Sequence, residues 1–252
     1  MSSIKNLLNQ NKNHNRIFKL AGELGHSFGV KTFLVGGYIR DLLMNKTAND
    51  IDIVVEKNGI SFAKKLSKIL KSEGFCAFEK FGTAQLSFNN LKIEISTARA
   101  ETYLKNSRKP LVAFSDINDD LSRRDFTVNS IAVSILPESY GQIFDPFNGI
   151  KDINDKKLIT PLDPDKTYKD DPLRMLRAIR FAAQLNFEID TKSFESIKIN
   201  RKRLNIISQE RITEELIKLL STNKPSIGFY LMQKSKLLEY VFPEMLDLPG
   251  IE

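Results

Sequence analysis

Two aspartates one residue apart, Asp50 and Asp52, follow closely on a glycine pair, Gly36-Gly37, and that spacing is the first sign of chemistry in this chain. In an extended strand alternate side chains share a face, so Asp50 and Asp52 point one way while Ile51, Ile53 and Val55 point the other. Their α-carbons are then roughly 6 to 7 Å apart, close enough for two carboxylates to hold one or two divalent ions. Ions so held lower the pKa of an attacking hydroxyl and grip a triphosphate, which is what nucleotidyl transfer needs. An Asp-x-Asp alone can equally be a strand edge kept polar. Here it is preceded by Gly36-Gly37 and Arg40-Asp41, and that combination favours metal binding over solubility.

The elements that must position these groups are legible nearby. Residues 32–35, Thr32-Phe33-Leu34-Val35, are mostly β-branched or aromatic and stop at the glycine pair, and Tyr38 to Met44 carries helix formers, so the local order is strand, tight turn, short helix. Amides at the mouth of such a turn can face an anion. The polar face of a later strand, Leu91 to Ser96, carries Glu94, a third acidic candidate beside Asp50 and Asp52. A helical period over residues 4–30, interrupted by Asn11 to Asn15, leads into the first strand, and Ile60 to Lys71 is a helix covering the sheet. Cys76 to Phe81 and Ala84 to Phe88 read as short strands, and Ile131 to Phe144 as a hairpin around Pro137 and Gly141. Between them, residues 97–124 are polar and charged, with Arg99, Tyr103, Lys105, Arg108, Lys109 and Pro110, and part of this stretch reads as loop.

Composition narrows the chemistry further. The 252 residues hold 38 Lys and Arg against 31 Asp and Glu, a net charge of +7 that suits a polyanion, with nucleic acid preferred to a membrane surface. One cysteine, Cys76, excludes an internal disulfide and a multi-cysteine zinc site, and two histidines, His14 and His26, disfavour a histidine-rich one. A catalytic metal would therefore sit on oxygen ligands, which means Mg2+ or Mn2+. No long apolar run or signal segment occurs, and a soluble cytoplasmic protein is expected.

The second half becomes helical after Pro161-Leu162-Asp163-Pro164, the best candidate for a domain boundary. Asp171-Pro172 starts a helix that runs to about Leu185, and Asp190-Thr191, Ser208-Gln209 and Lys224-Pro225-Ser226 open others. Asp171 and Arg174 are three apart on one helix face. A carboxylate accepts from an exocyclic amine and a guanidinium donates to a ring nitrogen, a pair that fits cytosine and adenine but leaves partners unpaired with guanine or uracil. The same two residues would also make an ordinary helix cap and ion pair. Arg177 and Arg180 continue down the helix, toward phosphates or into solvent. Arg40 either supports its turn with Asp41 or meets a triphosphate, and Arg123-Arg124 carry the same two readings. Arg201-Lys202-Arg203 is a short basic run suited to an RNA backbone or to a solvated loop.

Taken together these residues resemble the class II tRNA nucleotidyltransferases, or CCA-adding enzymes, and the bacterial poly(A) polymerases that share their head domain. Leu34-Val35-Gly36-Gly37-Tyr38-Ile39-Arg40-Asp41 with Asp50-Ile51-Asp52 is similar to the family's first motif, whose aspartates bind the catalytic metals. Arg123-Arg124-Asp125-Phe126-Thr127-Val128-Asn129-Ser130 resembles the second, which contacts the ribose and triphosphate of the nucleotide. Asp170-Asp171-Pro172-Leu173-Arg174 resembles the base-reading motif, with aspartate where glutamate is usual at its first position. Glu210-Arg211-Ile212-Thr213-Glu214-Glu215-Leu216 resembles a later bracing motif.

The resemblance implies an α/β nucleotidyltransferase head of polymerase-beta-like type over residues 1–150, then an all-helical neck and partial body over residues 151–252. It implies catalytic Asp50, Asp52 and Glu94, with Gly36, Gly37, Arg40, Arg123, Arg124, Asp125, Asn129, Asp171, Arg174, Arg177 and Arg180 around the nucleotide. The implied reaction is transfer of CMP or AMP from CTP or ATP to the 3′ end of tRNA. Two departures stand out. Leu158-Ile159-Thr160-Pro161 lacks the arginine the family usually has there, and the chain ends at Glu252 where family members continue, so a fragment or a reduced RNA grip is expected. Rival readings are a poly(A) polymerase, an enzyme acting on a small antibiotic-type acceptor, and a silent RNA-binding module.

Overall fold

The computed structural model describes residues 4–102 and 111–247. Tyr103, Lys105, Arg108, Lys109 and Pro110 of the basic stretch lie outside the described residues. The chain divides into two units: the first holds Met1–Arg124 and Val128–Ile153, the second Asp125–Thr127 and Asn154–Glu252.

In the first unit the elements run α1 (Ile4–Asn9), α2 (Lys12–Phe28), β1 (Thr32–Val35), α3 (Gly37–Leu43), β2 (Asp50–Val55), α4 (Gly59–Leu70), β3 (Gly74–Phe78), β4 (Thr83–Phe88) and β5 (Leu91–Thr97). They continue with β6 (Arg99–Thr102), β7 (Leu111–Phe114), α5 (Ile117–Ser122), β8 (Ala132–Ser134), β9 (Ile143–Phe144) and α6 (Gly149–Asn154). Seven strands form one sheet in the order β3-β4-β5-β2-β1-β8-β9. Within it β2 and β5 pair parallel and the other neighbours antiparallel. The interruption expected at Asn11 to Asn15 is narrower than the sequence pattern implies. Asn11 caps α2 by accepting from the Asn13 and His14 amides, and the helix takes in Asn13 and Asn15.

Burial fixes the register. Ile51, Ile53, Ile93 and Ile95 are fully buried, each stabilising the fold by about 2 kcal/mol. A slip of one residue would expose them and bury Asp50 and Asp52 instead, so this alternation holds the carboxylates on the polar face. A second core, Phe33, Val35, Val54, Ala98, Ile117, Leu121 and Ala132, is joined by Phe144 and Phe147. Val54 lies on the face of Asp52, so that face is apolar at one end of β2 and acidic at the other.

In the stretch read partly as loop, β6 and β7 pair antiparallel and α5 begins at the cap Asp116, whose carboxylate accepts from the Asp119 amide. The hairpin after Ile131 is present as β8 and β9.

The second unit contains β10 (Lys157–Leu158), α7 (Pro164–Asp170), α8 (Leu173–Leu185), β11 (Glu188–Ile189), α9 (Thr191–Asn200), α10 (Gln209–Leu220), α11 (Pro225–Ser235) and α12 (Leu238–Val241). Helices α7, α10 and α11 pack on α8, most of whose residues are buried. Asp190 caps α9 through the Lys192 and Ser193 amides, Ser208 precedes α10, and Pro225 occupies the first turn of α11. Two expectations need adjusting. The all-helical reading omits the short parallel pair of β10 and β11. Pro161 to Pro164 lies inside the second unit and opens α7, because Asp163 caps the Lys166 amide and Pro164 takes the first helical position.

Candidate active site

The first unit builds its site around the turn between β1 and α3. Gly36 has φ of 70° and ψ of −141°, a conformation that side-chain-bearing residues rarely adopt. A Cβ there would also stand 3.0 Å from Arg124 Nη1 and 3.3 Å from Asp52 Oδ2. The missing side chain thus lets a guanidinium and a carboxylate close on the turn. Behind it, α3 is anchored by Tyr38, whose hydroxyl is 2.9 Å from His14 Nδ1 and whose ring meets Phe18 edge-on at 5.4 Å.

Asp50 is exposed and Asp52 half-buried, as alternation requires. Asp52 stands across from Glu94 in the parallel register of β2 and β5. Burial pushes the Asp52 carboxyl up to about 6; Glu94 and Asp50 push the same way, and Arg124 and Lys92 oppose them. Such a carboxylate gains most from a bound cation, and an all-oxygen donor set fits Mg2+ or Mn2+. Glu94 is in the expected register, but its Oε2 accepts from Gln85 Nε2 at 3.3 Å. Among the described residues no three His, Cys, Asp or Glu side chains gather as a metal-binding group; Asp50 and Asp52 alternate along β2, and Glu94 stands in register with Asp52 on β5.

Arg40 is buried, and its fork is held on two sides. Nε and Nη2 donate to Asp41 Oδ1, each at 2.8 Å, and Nη1 donates to Asn129 Oδ1 at 2.7 Å. This links the glycine-turn helix to the second motif 89 residues later. Arg123 and Arg124 share one carboxylate. Asp120, 0% exposed, accepts from Arg123 Nη2 at 2.6 Å through Oδ1 and from Arg124 Nη2 at 2.9 Å through Oδ2. Burial opposes the charge on Asp120, but the Arg124 and Arg123 guanidiniums and their hydrogen bonds outweigh it and hold its pKa below the usual range.

In the second unit Asp125 is buried. Its Oδ1 accepts from the Phe126 amide, and its Oδ2 accepts from Arg177 Nε at 2.8 Å and Nη2 at 2.6 Å. Arg180 donates from Nε to Glu215 Oε2 and from Nη1 to Gln184 Oε1, both at 2.6 Å, and stacks over the Phe181 ring. Arg177 and Arg180 are thus spent on carboxylates rather than left in solvent. Asp171 Oδ1 accepts from the Leu173 amide at 3.3 Å, the expected capping contact, and Oδ2 pairs with Arg211 Nη2 at 3.3 Å. Arg174 is half-buried in the first turn of α8. Reasoning from sequence missed Asp120, Glu215 and Arg211 as partners of candidate residues. Asp120 lies three and four residues before the arginines, a spacing that could have revealed it.

Residues 32–159 match the family described as Poly A polymerase head domain, just over half of the chain. The chain belongs to that family. Residues 186–248 match a second family, described as the probable RNA and SrmB-binding site of polymerase A. An A-adding tRNA nucleotidyltransferase of Aquifex aeolicus is 36% identical over 214 residues, 84% of this chain and 26% of that protein. A solved CCA-adding enzyme, apo form II, superposes with a TM-score of 0.86 at 31% identity, covering 96% of this chain and 57% of that one. A tRNA nucleotidyltransferase solved with a primer tRNA and an incoming ATP analogue gives 0.77 at 32% identity, covering 88% and 62%. The chain thus spans a quarter to just under two thirds of these relatives' lengths. No helix among the described residues is long and apolar enough to cross a membrane.

Proposed function

We propose that this chain transfers CMP, AMP or both from CTP or ATP to the 3′ end of a tRNA. The observation that carries the proposal is the Asp50 and Asp52 pair beside a glycine turn whose open side faces Arg124. The relatives solved with primer tRNA and an ATP analogue supply the substrate class. The terminal 3′-oxygen bonds to the α-phosphorus, the bond from that phosphorus to the bridging oxygen breaks, and pyrophosphate leaves. Mg2+ or Mn2+ held by Asp50 and Asp52, with Glu94 alongside, would supply a more acidic 3′-hydroxyl and neutralise phosphate charge.

The remaining work falls to the chain's own side chains. Gly36 and Gly37 leave room for phosphate oxygens close to backbone. Arg123 and Arg124, with their forks already fixed by Asp120, orient the triphosphate without being ordered at the moment of binding. Arg40 and Asn129 hold the turn and the second motif together, and Asp125 with Arg177 presents the ribose-side groups. Asp171 and Arg174 read the base, and Arg180 steadies the reading helix through Glu215. Selection follows because GTP and UTP would leave the carboxylate and guanidinium unpaired.

The test is incorporation of labelled nucleotide into tRNAs lacking one, two or three terminal residues, with CTP, ATP or both, in Mg2+ or Mn2+. Ordered CMP and AMP addition is full CCA synthesis; AMP on the tRNA lacking one residue and nothing else is A addition, which the Aquifex relative's name favours. A long ladder with ATP alone means poly(A) synthesis. No incorporation into any RNA, or activity retained in Asp52→Asn, overturns the proposal.

A further inference from the structure

The first unit carries a cationic groove away from the residues assigned above. It has a volume of about 500 Å³ and is lined by Asn9 of α1 and by Lys12, Asn15, Arg16, Lys19 and Leu20 of α2. Three of the six carry positive charge, two are carboxamides and none is acidic. Lys12, Arg16 and Lys19 are exposed, and among the described residues none of the three makes an ion pair. In this they differ from Arg40, Arg123, Arg124, Arg177 and Arg180, whose guanidiniums are held by carboxylates or amides within the fold.

The spacing of the three cations has a length scale. At 1.5 Å of rise per residue, Lys12 and Arg16 are about 6 Å apart along the helix axis and Arg16 and Lys19 about 4.5 Å. Long side chains can adjust such a row to successive phosphates of one extended strand, and a 500 Å³ groove is large enough for a nucleotide unit beside the row. The opposite face of α2 is not idle. His14, adjacent to Asn15, bonds the Tyr38 hydroxyl, and Phe18 packs on the same ring. The groove and the Tyr38 contacts that anchor α3 thus lie on opposite faces of the same helix.

We infer that the α1–α2 groove is an accessory binding surface for the sugar-phosphate backbone of a single RNA strand, with Lys12, Arg16 and Lys19 contacting phosphates and Asn9 and Asn15 contacting ribose or base edges. The choice of RNA rests on the function proposed above; the groove's preference for phosphate does not.

The experiment is fluorescence-anisotropy binding, without nucleotide or metal, of a short single-stranded RNA and of a tRNA to the full chain. The variant Lys12→Gln/Arg16→Gln/Lys19→Gln is compared with a control of equal charge loss, Lys64→Gln/Lys65→Gln/Lys68→Gln, on the exposed side of α4. The groove variant should bind single-stranded RNA roughly tenfold more weakly, and its slope of log K against log salt should be shallower by about 2, the value for three strand phosphates. The control should match the wild type. Melting temperature and ATP binding, measured in parallel, should be unchanged in both variants. Equal weakening in the two variants means bulk charge alone and overturns the inference, as does unchanged RNA affinity in the groove variant. An effect on ATP binding equal to that on RNA would assign the groove to free nucleotide and overturn it too. Loss of nucleotide incorporation in the wild type would sink the proposed reaction without touching this measurement.

Discussion

Asp52 is a carboxylate the fold holds at a cost. Its pKa is pushed up to about 6 from an ordinary 3.8, so the folded chain binds that proton more tightly than the unfolded chain does. Its contribution to stability is therefore full below about pH 4 and is lost as pH rises through about 6, a penalty of about 2–3 kcal/mol at neutral pH. Asp52→Asn in EDTA should be more stable than the wild type by about 2 kcal/mol at pH 7.5, with the gap closing toward pH 4. Chemical denaturation across that range checks this; a variant less stable at pH 7.5 contradicts it. Asp120 has the opposite sign. Its folded pKa lies below the ordinary value, so its stabilisation is present above about pH 4 and disappears as pH falls through the folded value. Asp120→Asn should cost about 3 kcal/mol at pH 7 and progressively less in acid. In the same variant KM for the nucleotide should rise more than kcat falls, because Arg123 and Arg124 lose their shared anchor; steady-state kinetics separates the two.

At the scale of elements, the β1 turn and the network around α8 behave differently. Gly36→Ala must force a side chain into a positive-φ turn and against Arg124 Nη1, at a cost of about 1–3 kcal/mol. Transfer should fall at least tenfold even where the variant folds, as an incorporation assay on purified folded protein would show. Glu215→Gln leaves Arg180, and in part Arg177, without their anionic partner on α10, and should destabilise the protein by about 3 kcal/mol in thermal unfolding.

Much of this scale was readable from sequence, and for identifiable reasons. The β2 alternation, the Asp171-Pro172 start of α8, the proline in the first turn of α11 and the Asp190 cap are local patterns with local causes. The helix α7 escaped because Pro161-Leu162-Asp163-Pro164 looks like a linker until Asp163 is seen bonding the Lys166 amide. Strand β6 escaped because it is polar and charged, and β7 because its short apolar run, Leu111–Phe114, is embedded in a highly charged stretch. Arg177 and Arg180 could not be resolved because their partners lie 52 and 35 residues away, beyond any periodicity.

At the scale of the whole molecule, the residues proposed for chemistry and those proposed for choice of base belong to different units. Asp171→Ala should therefore relax discrimination against GTP and UTP while keeping a measurable fraction of transfer, whereas Asp52→Asn should abolish transfer with every nucleotide. A competition assay with all four triphosphates tests both, and unchanged selectivity in Asp171→Ala removes the base-reading role. Arg211 donates to Asp171 Oδ2, a contact that on the proposed reading would aim the carboxylate before a base arrives.

The division of the chain has a consequence for its ancestry and for anyone who would cut it. Asp125–Thr127 is grouped with the helical unit although the sequence on both sides belongs to the sheet unit. A gene split at residue 153 would give a helical fragment whose Arg177 has lost its principal counter-charge, and a sheet fragment carrying a stray Asp125. The two parts cannot be shuffled like beads on a string. A new neck could be grafted only together with the arginine that answers this aspartate, so the two segments are bound to change together over evolutionary time.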